Sequence, residues 1–237
     1  MFALERKATL RKDAGHLVEV KSQPFGGALR VHEIEPLQDL IGNFHFDSEE
    51  SRSAQDFRIF IRPSDWRAVQ EFCLGYFSHP NNSVLETDPG RELTEEFADT
   101  LGVQLERDQY SYQAVGIIVE DHPSATSYTY ARGFPTARIY RIFEAHILDP
   151  SLASAMVKNN ESCSDQGLRE LAWQDFRNGG LGRANAVLTL PFKEISAAYA
   201  AIPAEARNKP ISFHGHALDE TVAAVLDDVT VSKYRRL

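Results

Sequence analysis

The stretch Asp88-Pro89-Gly90-Arg91-Glu92-Leu93-Thr94-Glu95-Glu96-Phe97-Ala98-Asp99-Thr100-Leu101-Gly102 decides how the rest of the chain is read. Asp88 is a good N-cap, and Pro89 stands at the first helical position, where its missing N–H costs nothing. Residues 91–101 continue as helix, and Gly102 closes it as a left-handed C-cap. At about 100° per residue, Leu93, Phe97 and Leu101 fall in a stripe about 80° wide, the packing face. Glu92, Glu95, Glu96 and Asp99 gather within about 100° of one another on a separate flank. Like charges at i,i+4 repel, so this flank is unfavourable without a cation.

Upstream of the helix, apolar and polar residues alternate as strands do. Residues 16–23 form one such run, broken at Pro24-Phe25-Gly26-Gly27, and residues 28–34 resume as its antiparallel partner. Residues 41–46 and 57–61 read as two more short strands joined by a polar loop, 47–55. After Arg62-Pro63 the period changes. Ser64 caps a helix with Trp66, Val69, Cys73 and Phe77 on one side, and His79-Pro80-Asn81-Asn82 ends it.

Downstream, residues 110–120 read as a largely buried strand and 136–148 as a long one, separated by a loop at 121–135. Asp149-Pro150 opens a helix through about residue 157, and Ser164 or Asp165 caps another that ends at Asn178-Gly179-Gly180. Residues 186–190 are a last strand, 192–201 a short helix, and 221–226 part of one more helix. No repeat or low-complexity linker interrupts the 237 residues, so a single domain is expected, strand-rich at its N-terminal part and carrying helical insertions.

Composition limits the partners. Lys and Arg number 25 against 34 Asp and Glu, a formal charge of −9, which disfavours nucleic acid and anionic membrane surfaces as partners. No apolar run approaches the roughly 20 residues that span a bilayer. Charges at Glu5, Arg6 and Lys7 stand where a signal peptide needs apolar residues. Two cysteines, Cys73 and Cys163, make no disulfide framework; Cys73 reads as a core thiol, and a reducing cytoplasm is the expected location. Sequence leaves the choice between monomer and homodimer open.

Within the deciding helix, Arg91-Glu92-Leu93-Thr94-Glu95-Glu96 resembles the centre of the Nudix box, whose helix carries Arg-Glu-(apolar)-x-Glu-Glu. The resemblance implies an α+β fold: a Nudix-like α/β/α sandwich with a mixed, twisted sheet and extra helices, here between residues 149 and 180. It implies a Mg²⁺ ion, with Mn²⁺ as the alternative, held by Glu92, Glu95 and Glu96, while Arg91 orients one of these carboxylates. Glutamates spaced i, i+3, i+4 converge hard oxygen ligands on such an ion. The ion bridges diphosphate oxygens, neutralises developing charge and sharpens a water nucleophile. Members of the family hydrolyse nucleoside diphosphates linked to another moiety, so the implied substrate is a phosphorylated small molecule, a nucleotide derivative, with Glu96 central to turnover. Ala98 occupies the place of the family's glycine after the paired glutamates, and Gly102 comes one turn later. That departure keeps a second reading open: a non-catalytic Nudix-like module that binds a ligand or a partner.

Further residues carry chemistry of their own. Alternation along 136–148 puts Arg138, Tyr140, Glu144 and His146 on one strand face, where Glu144 is a candidate base and Arg138 and Tyr140 candidate substrate contacts. The alternative is a polar sheet face covered by helix or solvent. Asn178-Gly179-Gly180-Leu181-Gly182-Arg183 leaves a helix and enters a strand, the wrong order for a phosphate loop, though Arg183 remains a candidate ligand contact. His214 and His216 share one side of an extended segment, a spacing used by transition-metal sites that need one or two more ligands.

Overall fold

A computed structural model describes residues 2–12, 15–23, 25–79, 82–119, 123, 129–131, 133–162, 164–190, 211–213, 216–218 and 234–236. In chain order the elements are β1 (Phe2–Arg11), β2 (Leu17–Gln23), α1 (Glu35–Ile41), β3 (His45–Phe46), α2 (Glu49–Ala54), β4 (Ile59–Phe60), α3 (Trp66–Phe77) and α4 (Gly90–Leu101). There follow β5 (Tyr110–Val119), β6 (Ile139–Ile147), α5 (Pro150–Ser162), α6 (Asp165–Arg177), β7 (Arg183–Leu190), β8 (Ile211–Phe213), β9 (His216–Leu218) and β10 (Tyr234–Arg236). The fold is α+β. Among the described residues no helix is long and apolar enough to cross a membrane.

The chain divides into two compact units: Met1–Phe25, Leu93–Gln113 and Ala145–Val231 form the first, and Gly26–Glu92, Ala114–Glu144 and Ser232–Leu237 the second. The first is built on a five-stranded sheet of order β7-β1-β2-β9-β8, antiparallel except for β2 against β9. Strand alternation sorts its side chains between two layers. Ala8, Leu10, Val18, Val20 and Ala186 pack with Leu168 and Ala172 of α6. Val187 packs with Phe97 of α4 and with Leu152 and Met156 of α5. Helices therefore cover both faces of this sheet. Phe97 is 1% exposed, and burying such a ring contributes about 3 kcal/mol.

Two charged residues of β1 are buried with their partners. Arg6, 1% exposed on the α6 side, pairs with Asp165 in the first turn of α6. Glu5, fully buried, faces α4, where Thr100 donates to it at 3.2 Å. Ionised side chains are tolerated in such surroundings only when paired.

The second unit assembles α1 and α3 around Val31, Leu37, Ile41, Val69, Phe72, Cys73, Phe77, Val84, Leu85 and Ile117. The apolar side read for α3 is the side that packs. Its end is sealed by Asn82, which donates to the carbonyls of Tyr76 at 3.1 Å and His79 at 2.8 Å. A three-stranded sheet runs β10-β5-β6, and β3 pairs with β4.

Several sequence expectations need correction. The antiparallel partner of β2 is β1, not residues 28–34; there only Arg30 and Val31 make isolated bridges, to Asp56 and Leu85. Residues 41–46 are not one strand, because Ile41 ends α1 and only His45 and Phe46 pair. The polar loop at 47–55 contains α2, whose first turn is capped by Ser48 accepting from the Ser51 N–H at 3.0 Å. Ser64 does not cap α3; its hydroxyl donates to Asp65, inside the 3₁₀ turn Pro63–Asp65. The helices read at 192–201 and 221–226 lie outside the described residues, as do Cys163 and most of the loop at 121–135.

Candidate functional site

Helix α4 forms as its termini dictate. Asp88 Oδ1 accepts from the Gly90 N–H at 2.7 Å, and Gly102 adopts φ 67° while its N–H bonds the Ala98 carbonyl at 2.9 Å. Leu93 and Leu101 join Phe97 in the apolar cluster of the first unit. The acidic flank read from the sequence is therefore held on a defined helix, and each carboxylate has its own surroundings.

Arg91 is gripped from outside the helix. Its Nε donates to Glu86 Oε1 and its Nη2 to Glu86 Oε2, both at 2.7 Å, and Nη2 also reaches the Ala28 carbonyl at 3.0 Å. Glu86 accepts a further bond from the Arg30 N–H at 3.0 Å. Burial works to raise the Glu86 carboxyl, but the Arg91 guanidinium and the Arg30 N–H outweigh it and hold the group below its ordinary range. The same Arg91 Nη2 lies 2.7 Å from Glu92 Oε1, so Arg91 does contact a carboxylate of the acidic flank. Gly27 lies so close to Glu92 that a Cβ there would overlap the carboxylate.

Glu96 faces β1. Lys7 Nζ sits 3.2 Å from its Oε2 and 3.3 Å from its Oε1, and 2.8 Å from Glu5 Oε2. Burial, then a hydrogen bond and charge repulsion from Glu5, push the Glu96 carboxyl up to about 8, with Lys7 only partly opposing them. Glu95 and Asp99 are exposed on the helix.

Two of the three carboxylates that the resemblance assigns to Mg²⁺ or Mn²⁺ already have a cationic partner within the chain. Both oxygens of Glu96 face the Lys7 ammonium, at 3.2 and 3.3 Å. Glu92 is engaged by a guanidinium. Among the described residues, no three His, Cys, Asp or Glu side chains form a group able to hold a metal ion.

The remaining sequence candidates fall in separate surroundings. Arg138 and Tyr140 are half-buried in the second unit, Tyr140 within β6. Glu144 lies in β6 with its side chain outside the described residues, as does the side chain of His216 in β9; His214 is outside them altogether. Arg183 opens β7 in the first unit, opposite Thr9 of β1. Its loop leaves α6 and enters β7 as read, and Asp175 already occupies the backbone donors: Oδ2 accepts from Gly182 at 2.8 Å and Arg183 at 3.1 Å. A carboxylate of the chain itself sits where a phosphate oxygen would bind.

Sequence reasoning missed the partners rather than the helix. Glu86 stands five residues before Arg91, outside any helical spacing, and carries no local signal. Lys7 and Glu5 do alternate with Arg6 on β1, a pattern that marks a strand with charges on both faces. Arg141 was also missed: it lies over the rings of Phe77 and Phe143 at 4.9 and 4.8 Å and donates to the Thr87 carbonyl at 2.8 Å. No family model, curated protein or solved structure matches this chain.

Proposed function

We propose that the chain is a Nudix-like α/β/α module that binds a phosphorylated small molecule or a protein partner without metal-dependent hydrolysis. One observation carries the reading: both oxygens of the Glu96 carboxyl, which a hydrolase would need on a metal, face the Lys7 ammonium, which also pairs with Glu5. Supporting the architecture are the Arg91-to-Glu96 string on a helix and the helical layers on both faces of the five-stranded sheet. Arg91, held two-pronged by Glu86, serves to anchor the start of α4. A buried free Cys73 fits the reducing cytoplasm in which such a module would work.

The described residues of the second unit offer the ligand a cleft of about 500 Å³ beside α1 and α2. Phe44 and Phe46 meet edge to face in its wall at 5.7 Å, beside Gln38, His45 and Arg52. Aromatic surface with a few polar groups is the usual make-up of a small-molecule seat. Asp47 and Glu49 share that wall and disfavour a bare polyphosphate, so a ring-bearing ligand with limited negative charge fits best.

Hydrolysis keeps one observation in its favour, the 2.7 Å contact of Arg91 with Glu92, which is the role the Nudix resemblance gives that arginine. Calorimetry separates the two readings. The module shows no heat on Mg²⁺ addition, no turnover of nucleoside diphosphate derivatives, and ligand binding that is indifferent to chelator. Mg²⁺ binding weakened by Glu92→Gln, Glu95→Gln or Glu96→Gln, together with Mg²⁺-dependent turnover abolished in Glu96→Gln, would establish the hydrolase instead.

A further inference from the structure

We infer that Lys7 is the resident cation of the Glu5–Glu96 carboxyl pair, filling from within the chain the place a divalent ion would take. The inference rests on reading the chain as a module without metal chemistry, and it supplies a physical reason for that reading. Lys7 Nζ lies 2.8 Å from Glu5 Oε2 and 3.3 and 3.2 Å from the two oxygens of Glu96. A single positive centre thus touches three oxygens of two side chains, one of them approached through both its oxygens. Oxygen-ligated metals are held in the same pattern at shorter range, about 2.0–2.1 Å for Mg²⁺. The second oxygen of Glu5 is fixed by Thr100 Oγ1 at 3.2 Å, so the pair is oriented by β1 and α4 together.

Burial makes a cation necessary here. The Glu5 side chain is fully buried and that of Glu96 is 13% exposed, so little water reaches their oxygens, and the Lys7 ammonium is the positive charge placed against them. Lys7 is 34% exposed, with its stem on the strand and its head between the acids. It is therefore the removable member of the group, open to solvent on one side. Lys21 stands opposite Lys7 in the β1–β2 register but lies 3.4 Å from Glu19. Without Lys7, the oxygens of Glu5 and Glu96 remain as an oxygen-only donor set, the chemistry that takes Mg²⁺ or Mn²⁺.

The test uses the full chain and Mn²⁺ alone. Lys7→Met removes the charge and keeps the apolar stem. The expected result is that the native chain gives no binding heat and no shift of its unfolding midpoint with Mn²⁺. Lys7→Met gains both, and Lys7→Met combined with Glu96→Gln loses both again. A folded Lys7→Met that takes up no Mn²⁺ overturns the inference and leaves the module reading standing. Mn²⁺ bound by the native chain and lost in Glu96→Gln overturns both. If Lys7→Met does not fold alone, its recovery by Mn²⁺ supports the inference, and failure to recover overturns it.

Discussion

Glu86 and Arg91 meet two-pronged, each carboxylate oxygen taking one guanidinium nitrogen at 2.7 Å, with the arginine 19% and the glutamate 12% exposed. The planar fork of arginine matches a carboxylate in a way an ammonium cannot. Replacing Glu86 by Ala removes the two-pronged partner and leaves the guanidinium with Glu92 and the Ala28 carbonyl, and we expect a loss of about 2 kcal/mol in urea unfolding. Arg91→Lys keeps the charge but not the fork, and should recover only part of the native stability. Equal stability of Arg91→Lys and the native chain would show that the fork is irrelevant.

Glu96 gives the chain a pH dependence of defined sign. Its carboxyl titrates near the ordinary 4.5 when unfolded and at about 8 when folded, because burial and Glu5 disfavour its charge. Between those values the folded state binds the extra proton, so rising pH favours unfolding. The stabilising contribution is complete below about 4.5 and is lost as pH climbs through about 8. Glu96→Gln stays neutral throughout. It should flatten this part of the stability profile and leave the variant more stable than the native chain in alkaline solution, by on the order of a few kcal/mol. Denaturant midpoints across the window, with parallel slopes for variant and native chain, would contradict this.

Asp175 holds the turn between α6 and β7 through the N–H groups of Gly182 and Arg183. Gly182 is buried, so Asp175→Ala leaves its N–H without that acceptor and should cost about 2 kcal/mol. Asp175→Asn keeps an acceptor oxygen and should restore most of the loss. Gly180→Ala is expected to be at least as damaging, since its Cβ would run into the Asp175 carboxylate. Thermal unfolding of the three variants tests the order.

Cys73 lies 3% exposed in the core of the second unit, and burial pushes its thiol up to about 12. With Cys163 replaced by Ser, the native chain should resist a thiol reagent at mildly alkaline pH and react only at the rate of unfolding. Fast modification without denaturant would mean that this core opens readily.

What could be read in advance follows the range of the forces involved. Helix α4 was legible because its signals are local: Asp88 and Pro89 at the start, Gly102 at the end, and Leu93, Phe97 and Leu101 between. Strand β1 was not, because Glu5, Arg6 and Lys7 are the composition of an exposed segment. They are accepted in a central strand only through distant partners, Lys7 with Glu96 across 89 residues and Arg6 with Asp165 across 159. No window of sequence contains both members of either pair. Helices α1 and α2 fall between these cases. Ser48 followed by Glu49 and Glu50 was a usable start signal, overridden by the strand-like residues on either side. The acid stripe was correctly located by helical periodicity, but the purpose it serves depends on Lys7 and Glu86, which periodicity does not reveal.

The place of β1 in its sheet has a bearing on how the protein is made. The strand leaves the ribosome well before β7, yet it sits between β2 and β7, and β7 begins only at Arg183. Until that late segment is synthesised, one edge of β1 has no ladder to join, and Arg6 has no Asp165 until α6 begins. Closure of this unit thus waits for a segment far downstream, leaving the nascent hairpin of β1 and β2 with an open edge in the meantime.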